Sequence, residues 1–403
     1  MKSSDADFGW KVVGAVFVIA AITWGVGLYG ITTLLAALKV SRGWSTATLS
    51  AAVSLHYLTS AVLVLLLARA HVALGIARVT QIGAALMAAG IITWAHSMAP
   101  WHLAIAALLS GCGWALTGTT AITAMVSGWF DQDRPKALGV AMIGISIGGL
   151  LFAPIWPALI YSIGVSQASI AVGVTTCLII CVLAQIFLTP LGPHAPRVLR
   201  SPAIGSQHSS QHSRNAGVLP TWKFQSVAIS FAIGLLAVMG IFIHLTAYLA
   251  EIWGLVAAGF AVGLVTASTI AGRLILGWWL SSLNMRTAAA LSFLFTAAGS
   301  ALLTVTGAPA VMLAGCILFG LGVAGLNLLP PLIAQREYPA DATPTVVGFL
   351  GSTSQLALTA APITMGGLTT LFGTYRGPFL CAVVLQIIAA LVILSHRERK
   401  AQL

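Results

Sequence analysis

One arginine lies inside an otherwise apolar stretch of the chain. Arg273 follows Thr269 by four residues and Thr266 by seven, so the three side chains share one face of a helix. A guanidinium in hydrocarbon costs about 2.5–3.5 kcal/mol, and it normally faces a cavity and pairs with an anion. The acidic residues of the chain all lie at the ends of apolar runs or between them. The sequence therefore predicts that Arg273, with Thr269 beside it, binds the carboxylate of a ligand through its bidentate fork.

Arg273 also has an interpretation that involves no ligand. In the predicted topology, Arg273 lies toward the cytoplasmic end of its apolar run. Its side chain could therefore extend to the lipid headgroups instead. It could also donate to backbone carbonyl groups as a structural residue. The sequence leaves these alternatives open.

A second candidate group lies in the apolar run before Arg273. His244, Tyr248 and Glu251 occur at positions i, i+4 and i+7, which again place them on one helix face. Histidine changes its charge near neutral pH, so the three residues could relay a proton or contact a substrate along the wall of a path. The alternatives are a neutral, hydrogen-bonded core role for His244 and a helix-end role for Glu251.

Four further polar residues occur within apolar runs and are predicted to line the same path. His56 and Tyr29 lie in the first half of the chain, and Asn327 and Gln355 lie in the second. Tyr29 is the hydroxyl donor that we expect from the first span. A buried core role for His56, and hydrogen bonds between neighbouring helices for Asn327 and Gln355, are the alternatives.

The sequence contains no recognisable catalytic motif. It contains no buried carboxylate pair, no His-Glu-x-x-His helix, no Gly-x-Ser-x-Gly elbow and no Gly-x-x-x-x-Gly-Lys phosphate loop. We therefore expect a protein that is not an enzyme, that uses no ATP and that needs no metal or cofactor.

The composition indicates a protein that is embedded in a lipid bilayer. Of the 403 residues, 59% are hydrophobic and 7% are charged, whereas about a quarter are charged in an ordinary soluble domain. The net charge of +11 does not indicate a nucleic-acid partner, because Lys and Arg lie in the gaps between apolar runs rather than on one face.

The apolar runs predict twelve transmembrane helices, each near the length of about 20 residues that a bilayer requires. Six precede and six follow a Pro-, Ser-, Gln- and His-rich segment that cannot form a core. We expect a bundle at 1–189, a cytoplasmic linker at 190–223 and a second bundle at 224–403. The predicted spans are 12–38, 46–68, 73–95, 101–126, 135–163, 168–189, 224–250, 257–281, 286–306, 309–334, 343–372 and 377–395.

The basic residues predict the orientation of these spans. With a cytoplasmic N-terminus, fifteen Lys and Arg residues, Arg286 among them, fall inside and three fall outside. We therefore expect a multi-pass protein of the cell (inner) membrane with both termini in the cytoplasm.

The two halves share a weak repeat. Gly144–Gly149 followed by Ala153–Ile155 in span five matches Gly348–Ser352 followed by Ala361–Ile363 in span eleven. Parallel repeats of this kind occur in transporters whose two bundles are pseudo-symmetric and alternate access to a site near the bilayer midplane. The predicted fold is an all-α membrane protein with two six-helix bundles.

Several motifs resemble the monocarboxylate transporter and oxalate/formate antiporter branch of the major facilitator superfamily. The resemblance extends over nearly the whole chain. It rests on Gly128–Phe130, Arg134, Ala137–Gly139, Gly144–Gly149, Pro154, Gly272, Arg273, Gly325–Asn327, Pro330 and Pro331.

The resemblance implies the major facilitator fold and a small organic anion that Arg273 binds. It also implies that the anion moves with a proton or in exchange for another anion. We also expect a monomer.

The chain also departs from the family. Proton-coupled members carry an Asp at the position of Thr269 and a Lys in the first span. Oxalate exchangers add a Lys in span eleven, where this chain has only Ser352, Gln355 and Thr359. The loop motif that is usual between spans two and three is degraded here to Ala68–His71.

One charged group between spans four and five is a candidate for gating. Asp131, Asp133, Arg134 and Lys136 could form a cytoplasmic cluster that latches the two halves, or they could form a solvated loop. Glu251 is the other residue that we associate with coupling or gating.

Together these features predict a secondary transporter that moves a small organic anion, most simply a monocarboxylate, by alternating access. One fixed positive charge suits one carboxylate better than two. The alternative within transport is an exporter of hydrophobic or drug-like compounds, which would require an embedded acid. A membrane enzyme or a sensor is the alternative from another class.

Overall fold

The computed structural model describes residues 3–130, 133–189, 221–279, 284–326, 328–339 and 342–395. These residues form helices joined by short turns, and none of them lies in a strand. An isolated helix satisfies its backbone hydrogen bonds internally, which is required where no water is available. The helices are α1 (Ser3–Trp24), α2 (Ile31–Arg42), α3 (Thr46–Leu63), α4 (Leu67–Leu74), α5 (Ile76–Ala95), α6 (Pro100–Thr117), α7 (Thr119–Ser127), α8 (Arg134–Leu183), α9 (Trp222–Trp253), α10 (Leu255–Trp279), α11 (Met285–Leu303), α12 (Pro309–Leu326), α13 (Leu329–Glu337), α14 (Thr343–Phe372) and α15 (Arg376–Leu394).

The described residues contain eleven helical segments that are long and apolar enough to cross a membrane. One of them, Arg134–Leu188, is 55 residues long and holds two of the predicted spans. It bends at Gly164, whose φ of 82° is a left-handed value that glycine adopts without strain. The eleven segments therefore account for the twelve predicted spans, and the prediction of an all-α membrane protein is confirmed.

The chain divides into two compact units. The first unit consists of the described residues of Met1–Pro202 and His244–Gly263. The second unit consists of those of Ala203–Ile243 and Leu264–Leu403. Helices α9 and α10 thus contribute residues to both units. The predicted bundle boundaries at 189 and 224 stay predictions, and most of the predicted linker, 190–220, lies outside the described residues.

Glycines allow close helix packing in the first unit. A Cβ atom on Gly148 of α8 would overlap the carbonyl oxygen of Ala21 in α1, and one on Gly144 would overlap that of Phe17. Because lipid is as apolar as a leucine side chain, helices in a membrane associate through van der Waals contact at small residues. The successive turns of α8 therefore lie directly on α1.

Glycines allow close helix packing in the second unit as well. A Cβ atom on Gly322 of α12 would lie 2.5 Å from the carbonyl oxygen of Ser292 in α11. A Cβ atom on Gly320 would overlap the carbonyl oxygen of Val265 in α10. Helix α12 therefore packs closely against both α10 and α11.

The helix of the first span changes its winding at Tyr29, the candidate site residue of that span. Residues Gly25–Gly30, between α1 and α2, are wound as a π-helix. Single π-helical turns inside longer helices are rare and often occur at functional sites. This turn contains Tyr29.

We expect Gly148→Ala to lower the stability of the protein by about 1–3 kcal/mol, because its methyl group overlaps a backbone atom of α1 that cannot move independently. Gly139→Ala is the matched control in the same helix, since a Cβ atom there meets nothing within 4 Å. Thermal unfolding of both variants in detergent measures the difference. Equal midpoints for the two variants would contradict the packing described for α8 and α1.

Candidate functional site

Arg273 lies on α10 in the second unit and is half-buried. The preceding residue, Gly272, faces α12, where a Cβ atom would lie 2.8 Å from the carbonyl oxygen of Leu321. The close contact at Gly272 determines how α10 is rotated against α12. It therefore determines the direction in which the next side chain, Arg273, leaves the helix.

Thr269 is buried one turn before Arg273. Its hydroxyl lies 2.9 Å from the carbonyl oxygen of Val265 in the same helix and 3.0 Å from that of Gly320 in α12. A threonine hydroxyl has one hydrogen to donate, so the two carbonyl groups share it. Thr269 therefore links α10 to α12, and only its oxygen lone pairs could contact a ligand.

His244 lies on α9 within the first unit, where its side chain is fully buried. Its Nε2 atom is 3.2 Å from the hydroxyl oxygen of Ser50 in α3. Ser50 directs its own hydrogen to the carbonyl oxygen of Thr46 at 2.6 Å, so it can only accept from His244. His244 therefore carries its proton on Nε2 in this arrangement. Tyr248 is buried one turn later.

Glu251, at the end of α9, forms an ion pair with Lys39 near the end of α2. Both residues belong to the first unit, and the Glu251 side chain is 45% exposed. An exposed ion pair of this kind contributes about 0–1 kcal/mol to stability.

A glycine of α10 brings the same segment close to α8. A Cβ atom on Gly259 would lie 2.6 Å from the carbonyl oxygen of Ala153 and 2.6 Å from Pro157 Cγ. The contacts that hold the segment His244–Gly263 in the first unit include the hydrogen bond of His244, the ion pair of Glu251 and this close approach.

Tyr29 is buried in the π-helical turn of the first span. Its ring and hydroxyl occupy the space in which a Cβ atom of Gly149 would lie. Its carbonyl oxygen accepts from the hydroxyls of Thr32 and Thr33 at 2.9 and 2.8 Å. The absence of a side chain at Gly149 therefore allows Tyr29 to pack directly on α8.

His56 on α3 is fully buried, and its Nδ1 atom lies 2.9 Å from the hydroxyl of Ser110 on α6. Its ring is 4.8 Å from that of Tyr57 and 6.0 Å from that of Trp114. The ring of Trp24 on α1 contacts that of Trp114 in a tilted arrangement, with the ring centres 5.1 Å apart. Sequence analysis selected His56 but not the three aromatic residues, because tryptophan and tyrosine in an apolar run carry no signal that they will meet.

The remaining predicted residues are dispersed. Gln355 is half-buried on α14, and its carbonyl oxygen accepts from the Thr359 hydroxyl at 2.9 Å. Asp133 and Arg134 are exposed at the start of α8, where Arg134 Nη2 donates to the Ser127 carbonyl oxygen at 3.3 Å. Asp131 and Asn327 lie outside the described residues.

The structure also contains a buried ion pair between Arg286 and Glu337. From the sequence, Arg286 was counted only as one of the basic residues on the inner side. Arg286, which is 5% exposed, donates from Nε to Glu337 Oε1 at 2.8 Å and from Nη2 to Oε2 at 2.9 Å. It also donates to the Ser226 hydroxyl at 2.8 Å and to the Lys223 carbonyl oxygen at 2.8 Å. Arg286 thereby joins the starts of α9 and α11 to the end of α13.

Tyr338 follows this ion pair directly. Burial, followed by the charge of Glu337, raises the pKa of Tyr338 to about 12, so its hydroxyl stays neutral at physiological pH. The ammonium group of Lys223 lies 5.3 Å from the centre of the Tyr338 ring, a favourable cation–π distance.

Within the described ranges, no three His, Cys, Asp or Glu residues lie close enough to hold a metal ion.

Comparisons with known proteins agree with this architecture. A family model described as Major Facilitator Superfamily matches residues 12–362. Monocarboxylate transporter 13 of Rattus norvegicus is 26% identical over 281 residues, which cover 68% of this chain and 61% of the rat protein. The protein of the same name from Bos taurus is 26% identical over 315 residues, 74% of this chain and 70% of the bovine protein. The chain thus covers less than two thirds of the rat relative.

Solved structures support the fold at low sequence identity. A mutant of the nucleoside transporter NupG superposes with a TM-score of 0.78 at 13% identity, covering 95% of this chain and 99% of that chain. A bacterial homologue of the human lysosomal transporter Spinster superposes with a TM-score of 0.74 at 13% identity, covering 98% and 97%. At this identity the likeness shows the fold alone.

We expect Glu337→Gln to lower stability by about 3 kcal/mol, because it leaves the buried guanidinium of Arg286 without its counter-charge. Glu251→Gln is the matched control, since its ion pair is partly exposed and contributes at most about 1 kcal/mol. Thermal unfolding in detergent measures both. A larger loss for Glu251→Gln would contradict the structural role assigned to Arg286.

Proposed function

The chain belongs to the Major Facilitator Superfamily, and from this premise we propose that it carries a small organic anion, a monocarboxylate, across the membrane by alternating access. The family and the transporter relatives make it a transporter and not an enzyme. The identity of the cargo and its coupling are the parts that we propose.

The observation that carries the proposal is Arg273. It is the one charged residue of α10, a helix that is otherwise suited to cross a membrane. Its planar guanidinium matches a carboxylate with two parallel hydrogen bonds, which adds geometric specificity to the charge attraction. The two relatives that are 26% identical to this chain carry the name Monocarboxylate transporter 13, which supports a carboxylate cargo.

The other proposed contacts to the cargo are neutral. His244, Tyr248, Tyr29 and His56 are buried hydrogen-bonding side chains, and Gln355 is half-buried. Ligand sites in proteins usually combine apolar walls with a few placed polar groups of this kind. We propose the same role for Thr269, through its lone pairs, and for Asn327.

Proton symport and anion exchange are both compatible with these residues. Thr269 stands where an embedded acid would provide a proton carrier, so proton coupling would need a histidine, the cargo itself or Glu251. Anion exchange would need only that the protein alternates between its two conformations when Arg273 holds a cargo anion, and does not alternate when the cargo is absent.

The ion pair of Lys39 and Glu251 is proposed to act as a gate. Topology prediction places the ends of α2 and α9 on the outer side, where this pair and the bond of His244 to Ser50 hold the segment His244–Gly263. Access from that side would require these contacts to break. Their small individual contributions suit a contact that opens in every cycle. Asp131, Asp133 and Arg134 are the proposed gating residues of the opposite side.

We further propose that the protein acts as a monomer in the cell (inner) membrane with both termini in the cytoplasm. The support for the orientation is the distribution of basic residues along the sequence, fifteen inside against three outside.

Arg273→Lys is expected to weaken transport of the anion at least about tenfold, because the ammonium group keeps the charge but loses one of the two parallel hydrogen bonds, worth about 1.5 kcal/mol or more. The assay is counterflow of labelled lactate in proteoliposomes loaded with unlabelled lactate. Arg376→Lys, at an exposed position at the start of α15, is the control and should transport like the unaltered protein.

An unchanged apparent affinity in Arg273→Lys would remove this residue from the binding site. If the unaltered protein shows no counterflow with lactate or with other small monocarboxylates, the proposed cargo class is wrong.

A further inference from the structure

The turn between α4 and α5 carries positive charge at one end of the first unit. Arg69 lies on α4 and Arg78 lies in the first turn of α5, and both residues are exposed. Within the described part of the chain, neither guanidinium group forms a hydrogen bond or an ion pair. The sequence contains no Asp or Glu from residue 8 to residue 130, so no acid of this long stretch can pair with them. We call the segment Leu65–Arg78 the α4–α5 corner.

The start of α5 adds to the positive charge of this corner. The N–H group of Gly75 donates to the His71 carbonyl oxygen at 3.0 Å, and the Gly75 carbonyl oxygen accepts from the N–H group of Val79 at 3.1 Å. The first N–H groups of a helix have no partner inside the helix and carry a partial positive charge. At α5 no side chain of the described residues caps them, and the first turn contains no acid. Arg78 lies in that turn instead, so a partial and a full positive charge adjoin.

The same corner contains a buried polar atom without a protein partner. His71 is 7% exposed, and its Nε2 atom has no hydrogen-bond partner among the described residues. The bond from Gly75 to its carbonyl oxygen places His71 at the end of α4, next to the start of α5. Charges without a counter-charge and a buried ring nitrogen without a partner thus occur at one turn. Both observations point to a ligand from outside the chain, and the two guanidinium groups favour an anion.

The corner also exposes apolar side chains beside its charges. Leu65, Arg69 and Val72 occur at positions i, i+4 and i+7, so they lie near one face of the helical segment. Leu65 is 77% exposed and Val72 is 80% exposed. A small soluble anion has no apolar part that would cover these two side chains. A phospholipid offers an acyl chain to them and a phosphate group to the arginine between them.

We propose that the α4–α5 corner binds the headgroups of anionic phospholipids, such as phosphatidylglycerol, on the cytoplasmic side of the membrane. The proposed topology places this turn on that side. Each basic residue near an anionic lipid surface strengthens the attraction about fivefold, and the start of a long helix readily receives a phosphate group. The bound lipid supplies the counter-charge that residues 8–130 lack. This inference concerns a partner of the fold, and it does not depend on the proposed cargo.

The test counts the lipids that bind to the full-length protein. The protein in detergent is incubated with equal amounts of phosphatidylglycerol and phosphatidylcholine of the same acyl chains, and native mass spectrometry measures the ratio of the two bound lipids. We expect the double variant Arg69→Gln/Arg78→Gln to lower the preference for phosphatidylglycerol about 25-fold, and each single variant to lower it about fivefold. No preference for phosphatidylglycerol in the unaltered protein would overturn the inference.

Two further double variants separate this site from the general effect of net charge. Arg336→Gln/Arg376→Gln removes the same charge from exposed positions on α13 and α15, and it should keep the preference of the unaltered protein. Arg69→Lys/Arg78→Lys keeps both charges at the corner and should keep most of the preference. Equal losses in the two glutamine double variants would show that the corner has no special role, and the proposal would be wrong.

Thermal unfolding in detergent distinguishes a lipid from a soluble anion. Phosphatidylglycerol should raise the unfolding midpoint of the unaltered protein more than phosphatidylcholine does, and this difference should vanish in Arg69→Gln/Arg78→Gln. Inorganic phosphate should leave both midpoints unchanged, because it has no apolar part to contact Leu65 and Val72. If inorganic phosphate raises the midpoint as much as phosphatidylglycerol does, the corner binds a soluble anion and the lipid assignment fails.

Discussion

The structure depends on helices that touch backbone to backbone. In a bilayer no hydrophobic effect draws one apolar helix toward another, so stability comes from van der Waals contact and from hydrogen bonds between helices. Gly148 on α8 lies against Ala21, and Gly320 on α12 lies against Val265. Each such contact determines the rotation of one helix against the next. It thereby determines where the few polar side chains of that helix point.

The candidate residues illustrate this dependence. Gly272 lies against α12 and orients Arg273 beside it, Gly149 makes room for Tyr29, and Gly27 makes room for Trp114. The candidate side chains are therefore positioned by the small residues near them. A glycine in these helices allows a short distance to the neighbouring helix. That distance in turn determines where the candidate side chains lie.

Two arginines, the half-buried Arg273 on α10 and the buried Arg286 on α11, differ in how they were recognised. Arg286 is held by a bidentate bond to Glu337 and by further bonds to a hydroxyl and a carbonyl group, as a buried guanidinium requires. Sequence analysis assigned it only to the count of inside charges, because its acid lies 51 residues away. Arg273 was selected from the sequence because no acid lies in its own span, and its proposed counter-charge is the cargo. A charge within an apolar run is noticed in the sequence, whereas the partner of a charge at a span end becomes visible only in the structure.

Composition and periodicity alone determined that this chain is an all-α membrane protein, since a backbone in lipid must satisfy its own hydrogen bonds and only long apolar helices do so within one segment. They also selected His56, His244 and Arg273, because polar groups are costly in hydrocarbon and rarely occur there without a role. Only the tertiary structure decided which groups meet. Ser50 and His244 lie 194 residues apart, and the rings of Trp24, His56 and Trp114 meet from three different helices. The physical reason is that the period of a helix tells which side chains share a face, whereas the partner of that face depends on how closely the neighbouring helices can approach.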